Sequence, residues 1–349
     1  MLKTIFKSAV VLCLMMSVTA CHKRDDTASD SGGGNSNKIV FIPKNTGNPY
    51  FNSLLSGFEK GCKAQNVDFL SIGPAKADDT SQIPFIQDQT QQKVAAICIS
   101  PNSVSALNQV CDEARAKGTK VIMVNSDITG NESHRDAAIF PTDFDKLGPS
   151  QIELLGSLIN YTGKFAILSS TTSAPDQNYW IKGMKEALKD PKYAKMELVD
   201  VVYGDDVPEK SRKEAEGLLI KYPDLRAILS PTTVGVEQAA KAVQIAGVYP
   251  GGAAAKNGGI VVTGLGTPDQ MREYITKGII TAFALWSPAD EGTLASYLAT
   301  GLSKGSIKAE EGQSFDVPGL GHFTFGKNAT VITGPPVVFT KDNIDQYHF

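Results

Sequence analysis

From residue 38 onward the chain alternates short β-branched runs with amphipathic stretches, and this rhythm restricts the fold more than any other feature. Strands are expected over 38–43, 67–72, 94–100, 120–124, 165–169, 196–203, 227–230, 259–263 and 279–285. Between the first two, Phe51, Leu54, Leu55, Phe58 and Cys62 recur at helical spacing. Asn48 followed by Pro49 predicts where that helix starts: a side-chain cap, then a proline whose missing N–H has no partner in a first turn anyway. Strand–helix alternation predicts an α/β fold with doubly wound parallel sheets, covered by helices on both faces. Nine strands are too many for one small sheet, so two lobes are expected, with a break near 126–129 and a second set from about Phe140. Short strands over 321–325, 329–332 and 337–340 are expected to finish the second lobe.

The first twenty residues stand apart. Lys3 and Lys7 precede an apolar run over 9–16, which predicts a secretory signal peptide over 1–20, too short for a membrane span. Val18-Thr19-Ala20-Cys21 is similar to a bacterial lipobox, making Cys21 the expected lipid attachment; an ordinary small-residue cleavage site is the alternative. Residues 21–37 are polar and rich in Gly and Ser, a tether that cannot bury enough apolar surface to fold. The protein is thus expected in the periplasm or cell envelope, held to the membrane only by that lipid. Cys13 lies in the signal. Cys62, Cys98 and Cys111 remain, an odd number that allows one disulfide at most; they read chiefly as small buried residues.

Lys and Arg number 34 against 37 Asp and Glu, so no basic excess offers a face for nucleic acid. Ligands of open α/β sheets bind beyond the carboxyl ends of the strands. Applied here, that rule selects Lys44, Tyr50 and Phe51 after the first strand, and Asn125 and Asp127 after the fourth. It adds Asp176, Gln177 and Trp180, then Pro231, Thr232 and Thr233, then Gly264, Gly266 and Thr267, and finally Trp286. Amides and carboxylates orient hydroxyls, and aromatic faces cover the C–H faces of a sugar ring. Each residue also has a plainer use. Asp176 and Thr233 sit where helix caps sit, Tyr50 and Phe51 continue an apolar stripe, and a tryptophan commonly only packs.

Catalytic signals are weak. Outside the tether and the last two residues only His134 and His322 remain, and neither H-E-x-x-H nor G-x-S-x-G occurs. Gly264-Leu265-Gly266 lacks the third glycine of a dinucleotide fingerprint, and 321–328 approaches a P-loop but carries Asn328 where Ser or Thr is needed. No catalytic residue, cofactor or metal is therefore expected. An exported sugar-modifying enzyme would have only Asp176 and Asp127 to work with.

Several runs together resemble one family: Phe41-Ile42-Pro43-Lys44, Asp176-Gln177-Asn178-Tyr179-Trp180, Ser230-Pro231-Thr232-Thr233-Val234-Gly235, Thr263-Gly264-Leu265-Gly266, Leu285-Trp286-Ser287-Pro288 and Phe339-Thr340-Lys341-Asp342-Asn343-Ile344. From about 38 to 349 the chain resembles the periplasmic binding proteins of ABC importers, in the branch that holds rhamnose-binding and autoinducer-2-binding members. The resemblance implies a type I fold, an N-terminal lobe of 38–127 and 264–289, a C-terminal lobe of 128–263 and 290–349, and three crossings near 126–129, 262–264 and 289–292. It implies ligand hydrogen bonds from Lys44, Asp176, Gln177, Pro231 and the Thr233 position, with Tyr50 and Phe51 as an apolar wall. The implied partners are a monosaccharide and the permease subunits of an importer, with the protein itself a monomer. Autoinducer-2 binders usually carry Ala where Thr233 stands and Asp where Asn125 stands; the Pro-Thr-Thr-Val-Gly run is closer to rhamnose binders, so a deoxyhexose is expected, with autoinducer-2 as the alternative. Asp at position 125 is usual in both subgroups.

Overall fold

A computed structural model describes residues 37–349, and every structural statement below concerns those residues. The signal peptide, Cys13, Cys21 and nearly all of the tether lie outside them. The chain lays down β1 (Lys38–Ile42), α1 (Pro49–Ala64), β2 (Asp68–Ser71), α2 (Ile83–Gln91), β3 (Ala96–Ile99), α3 (Asn108–Ala116), β4 (Lys120–Val124) and β5 (Ala137–Phe140). It continues with α4 (Phe144–Leu158), β6 (Gly163–Ser169), α5 (Pro175–Ala187), β7 (Met196–Tyr203), α6 (Pro208–Lys221) and β8 (Leu225–Ser230). Then come α7 (Thr233–Ala246), β9 (Val261–Gly264), α8 (Pro268–Thr276), β10 (Phe283–Leu285) and α9 (Pro288–Lys304). Four short strands end the chain: β11 (Ser314–Val317), β12 (Gly321–Thr324), β13 (Thr330–Ile332) and β14 (Val337–Phe339).

Two parallel sheets result. The first has the order β13-β5-β4-β3-β1-β2 and the second β7-β6-β8-β9. β10 joins the second through a parallel bridge between Leu265 and Ala284, and β14 pairs antiparallel with β10. The central strands are buried on both faces, as strands between two helical layers must be: β3, β8 and β9 are buried almost throughout. The Asn48 cap forms as expected, its Oδ1 accepting the Tyr50 N–H at 3.0 Å.

The lobe boundaries differ from those expected. Ala137–Phe140 pairs with β4, not with the second sheet, and β13 returns from the far end of the chain to pair with β5. Helix α9 also packs in the first lobe, directly on α1. At that contact a Cβ on Gly57 would lie 1.8 Å from the Ala289 carbonyl oxygen, and one on Gly292 would lie 1.9 Å from that of Leu54. Two glycines let the helix backbones meet. The chain therefore crosses between lobes at 141–143, 286–287 and 333–336, not near 126–129, 262–264 and 289–292. The expected boundaries fail because an apolar run reports burial and not the sheet in which it is buried. Of the last strands, only β14 joins the second lobe.

All three internal cysteines are free thiols inside the core. Burial pushes Cys62 and Cys111 up to about 12 and raises Cys98 well above its ordinary value, so none offers a thiolate near neutral pH.

Candidate functional site

The carboxyl ends of both sheets face each other across a cleft. From the first lobe, Lys44 follows β1, Tyr50 and Phe51 open α1, and Asn125 follows β4 in a left-handed conformation (φ 68°). From the second, Asp176, Gln177 and Trp180 lie in the first turns of α5, and Asp206 follows β7. Pro231, Thr232 and Thr233 lead into α7; Leu265, Leu285 and Trp286 complete the walls. The lining mixes fixed polar groups with apolar and aromatic faces, the make-up of a small-molecule site.

Two contacts join the lobes here. Lys44 Nζ donates to Asp176 Oδ1, both residues only 3% exposed. Thr233 Oγ1 donates to Asn48 Oδ1 at 3.3 Å. Neither Asp176 nor Thr233 is a helix cap: Ala174 and Thr232 hold those positions, and neither makes a side-chain capping bond. Gln177 Oε1 is engaged by Ser169 Oγ (2.7 Å) and the Ser170 N–H (2.9 Å), leaving its amide nitrogen without a partner. Trp180 Nε1 is likewise buried and unpartnered. Asp206 accepts from Thr232 Oγ1, and burial raises its carboxyl to about 6, against an ordinary 3.8. Edge-to-face packing holds the aromatic wall, with Tyr50 and Trp286 ring centres 6.2 Å apart and Trp180 and Trp286 5.9 Å apart.

Eleven of the fifteen residues selected at strand ends line this cavity. Asp127, Gly264, Gly266 and Thr267 do not. Asp127 is turned away and clamped by Arg135, whose Nε and Nη2 donate to its two carboxylate oxygens at 2.6 and 2.7 Å. It follows a strand end, but a cation eight residues on takes both of its oxygens. Gly264 serves the sheet: its φ is +142°, and a Cβ there would lie 1.9 Å from the Ser230 carbonyl oxygen. Asp206, Leu265 and Leu285 were not among the expected residues. The strand-end rule, applied to the strand over 196–203, would have reached Asp206.

Asp127 and Asp176 stand in different places, and His134 and His322 pair with Asp112 and Asp316 away from the cleft. Among the described residues, no group of His, Cys, Asp and Glu could hold a metal ion, and no helix is long and apolar enough to cross a membrane.

The family model for the periplasmic binding protein domain matches residues 39–307. The chain belongs to this family. Its two-sheet α/β architecture is that of the type I periplasmic binding proteins, and solved structures repeat it. A sugar ABC transporter structure from Actinomyces odontolyticus is 36% identical, covering 91% of this chain and 100% of that one, with a TM-score of 0.70. An ABC transporter solute-binding protein from Clostridium phytofermentas, solved with bound L-rhamnose, is 29% identical over 90% and 99% of the two chains, with a TM-score of 0.83. LsrB from Clostridium saccharobutylicum, in complex with AI-2, is 24% identical over 89% and 100%, with a TM-score of 0.82; at that identity it supports the fold. Periplasmic binding proteins hold their ligands without converting them and act outside the cytoplasm. This chain is accordingly a binding protein and not an enzyme.

Proposed function

We propose that the cleft captures a monosaccharide, L-rhamnose or a related deoxyhexose, for delivery to the permease of an ABC importer. One observation carries the reading: a buried cation and a buried carboxylate from opposite lobes converge between aromatic walls, beside the apolar faces of Phe51, Leu265 and Leu285. A deoxyhexose has the matching chemistry, hydroxyls that donate to Asp176 and accept from Lys44, and a methyl group for the apolar side. The unpartnered N–H groups of Gln177 and Trp180 supply further donors, and Asp206 a further acceptor. The rhamnose-bound relative supports the same choice. Gly264 drops out of the ligand set, as does Asp127, because neither reaches the cavity. Tyr50 contributes a ring face, its hydroxyl being fully engaged elsewhere. The protein acts as a monomer, tethered through a lipid on Cys21.

A thermal-shift panel of L-rhamnose, L-fucose, D-ribose, D-arabinose, D-glucose and AI-2 tests the assignment. Ligand at about 100 times Kd stabilises by about 2.7 kcal/mol, a readily measured shift. L-Rhamnose is expected to give the largest. A larger shift with AI-2 would move the chain to the alternative ligand, and no shift with any of the six would overturn the proposal.

A further inference from the structure

We propose that Glu291, which does not line the cleft, is a positioning residue for it: by accepting the one hydrogen bond the Tyr50 hydroxyl can donate, it leaves that oxygen to accept from Asn125 and Trp286 and so fixes both side chains at the cleft wall. The inference rests on the reading of the cleft as the ligand site, but its chemistry can be measured without a ligand.

A phenolic oxygen has one proton to donate and two lone pairs to fill. Tyr50 Oη has three neighbours: Trp286 Nε1 at 2.7 Å, Asn125 Nδ2 at 2.9 Å and Glu291 Oε2 at 2.5 Å. An indole N–H and an amide NH₂ only donate, so they fill both lone pairs. The proton then has one destination, Glu291 Oε2. Every hydrogen-bonding position of Tyr50 is used, and none is left for a ligand.

The two donors differ in what they control. Trp286 lies on the crossing between β10 and α9, and its ring forms part of the cavity wall. Asn125 stands at the end of β4, and its amide orientation follows from the same network, with Nδ2 on Tyr50 and Oδ1 accepting from Ser100 Oγ at 3.4 Å. An aspartate at 125 would bring no donor to Tyr50 and would face its lone pairs.

Glu291 is completely buried in the first turn of α9, and its second oxygen, Oε1, meets no partner. Such a site favours a neutral carboxyl. Burial pushes Glu291 up to about 8; the Tyr50 hydroxyl from α1, the Asn125 backbone beyond β4 and Lys44 beyond β1 pull it down, while Asp176 from α5 pushes it up. Cys98 on β3 faces α9 as a neutral thiol, and Asp290 beside Glu291 is exposed. Below that pH the carboxyl is protonated, and its Oε2 still accepts from Tyr50.

The chain has two tryptophans, so its ¹H–¹⁵N spectrum carries two indole signals, which a Trp180→Phe variant assigns. In ligand-free protein the Trp286 indole N–H is expected to be protected from exchange and to shift with a midpoint near pH 8. Glu291→Gln keeps an acceptor for Tyr50 but cannot ionise, so it should retain protection and abolish the titration. Glu291→Leu removes the acceptor; protection and L-rhamnose affinity should each fall about tenfold, the worth of one buried hydrogen bond. Tyr50→Phe should lower protection equally and serves if the leucine variant does not fold. An unchanged Trp286 signal in Glu291→Leu or Tyr50→Phe, or a titration that persists in Glu291→Gln, would overturn the proposal. If the indole results hold and the wild type does not bind L-rhamnose, the network stands and the ligand assignment is what fails.

Discussion

Replacing Asp127 by alanine should cost stability and spare binding, the reverse of what its place after a strand suggests. Asp127 and Arg135 form a two-point ion pair at 2.6 and 2.7 Å, with side chains 3% and 1% exposed. Arg135 Nη1 also donates to the Asn328 carbonyl at 2.8 Å, which holds the segment leading into β13. Deleting the carboxylate leaves a guanidinium buried without its counter-charge, a defect that costs about 3–5 kcal/mol. At roughly 2–4 °C per kcal/mol, the melting temperature should fall by about 10 °C. Amide exchange at Val331 in β13 should accelerate with it. L-Rhamnose affinity by calorimetry should stay within about twofold, since neither Asp127 nor its partner Arg135 lines the cavity. Asp127→Leu with Arg135→Met should recover most of the lost stability, because removing both charges avoids the uncompensated one. A large loss of affinity at unchanged melting temperature would refute the reasoning and return Asp127 to the ligand site.

Asp206→Asn probes the second buried carboxylate. Its folded value, about 6, lies above the ordinary 3.8, so ionisation opposes folding: the cost is complete above pH 6 and disappears as pH falls below 4. The stability of wild type relative to Asp206→Asn should therefore rise by roughly 3 kcal/mol between pH 7 and pH 3 by denaturant titration, and a flat difference would contradict it. Cys21→Ser should move the protein from the membrane fraction to the soluble periplasm; a wild type already soluble would remove the lipid anchor.

What could be read before folding was what depends on local chemistry. Asn48-Pro49 marked the start of α1 because capping is decided within four residues. The strand ends collected eleven cleft residues because parallel sheets present their carboxyl ends together. The partner of a polar group was not legible. Asp127 and Asp176 look alike as acids after strands; Arg135 claims one in its own lobe, while Lys44, 132 residues from Asp176, claims the other across the cleft. Sheet membership was equally hidden: Val331 and Val338 are both in short apolar runs near the end of the chain, yet one strand pairs with β5 and the other with β10. Glu291 gave no signal because its value lies in a hydroxyl 241 residues away.

In the proposed function, Lys44 and Asp176 meet in a sugar site and do not merely join two lobes. Calorimetric titration of L-rhamnose into wild type and Asp176→Ala, with melting temperatures for both, tests it most directly. A charged acceptor contributes about 1.5–3 kcal/mol to a hydrogen bond, so the variant should bind about tenfold to a hundredfold more weakly. Affinity equal to wild type, with only the melting temperature lowered, would make the pair part of the scaffold and contradict the account.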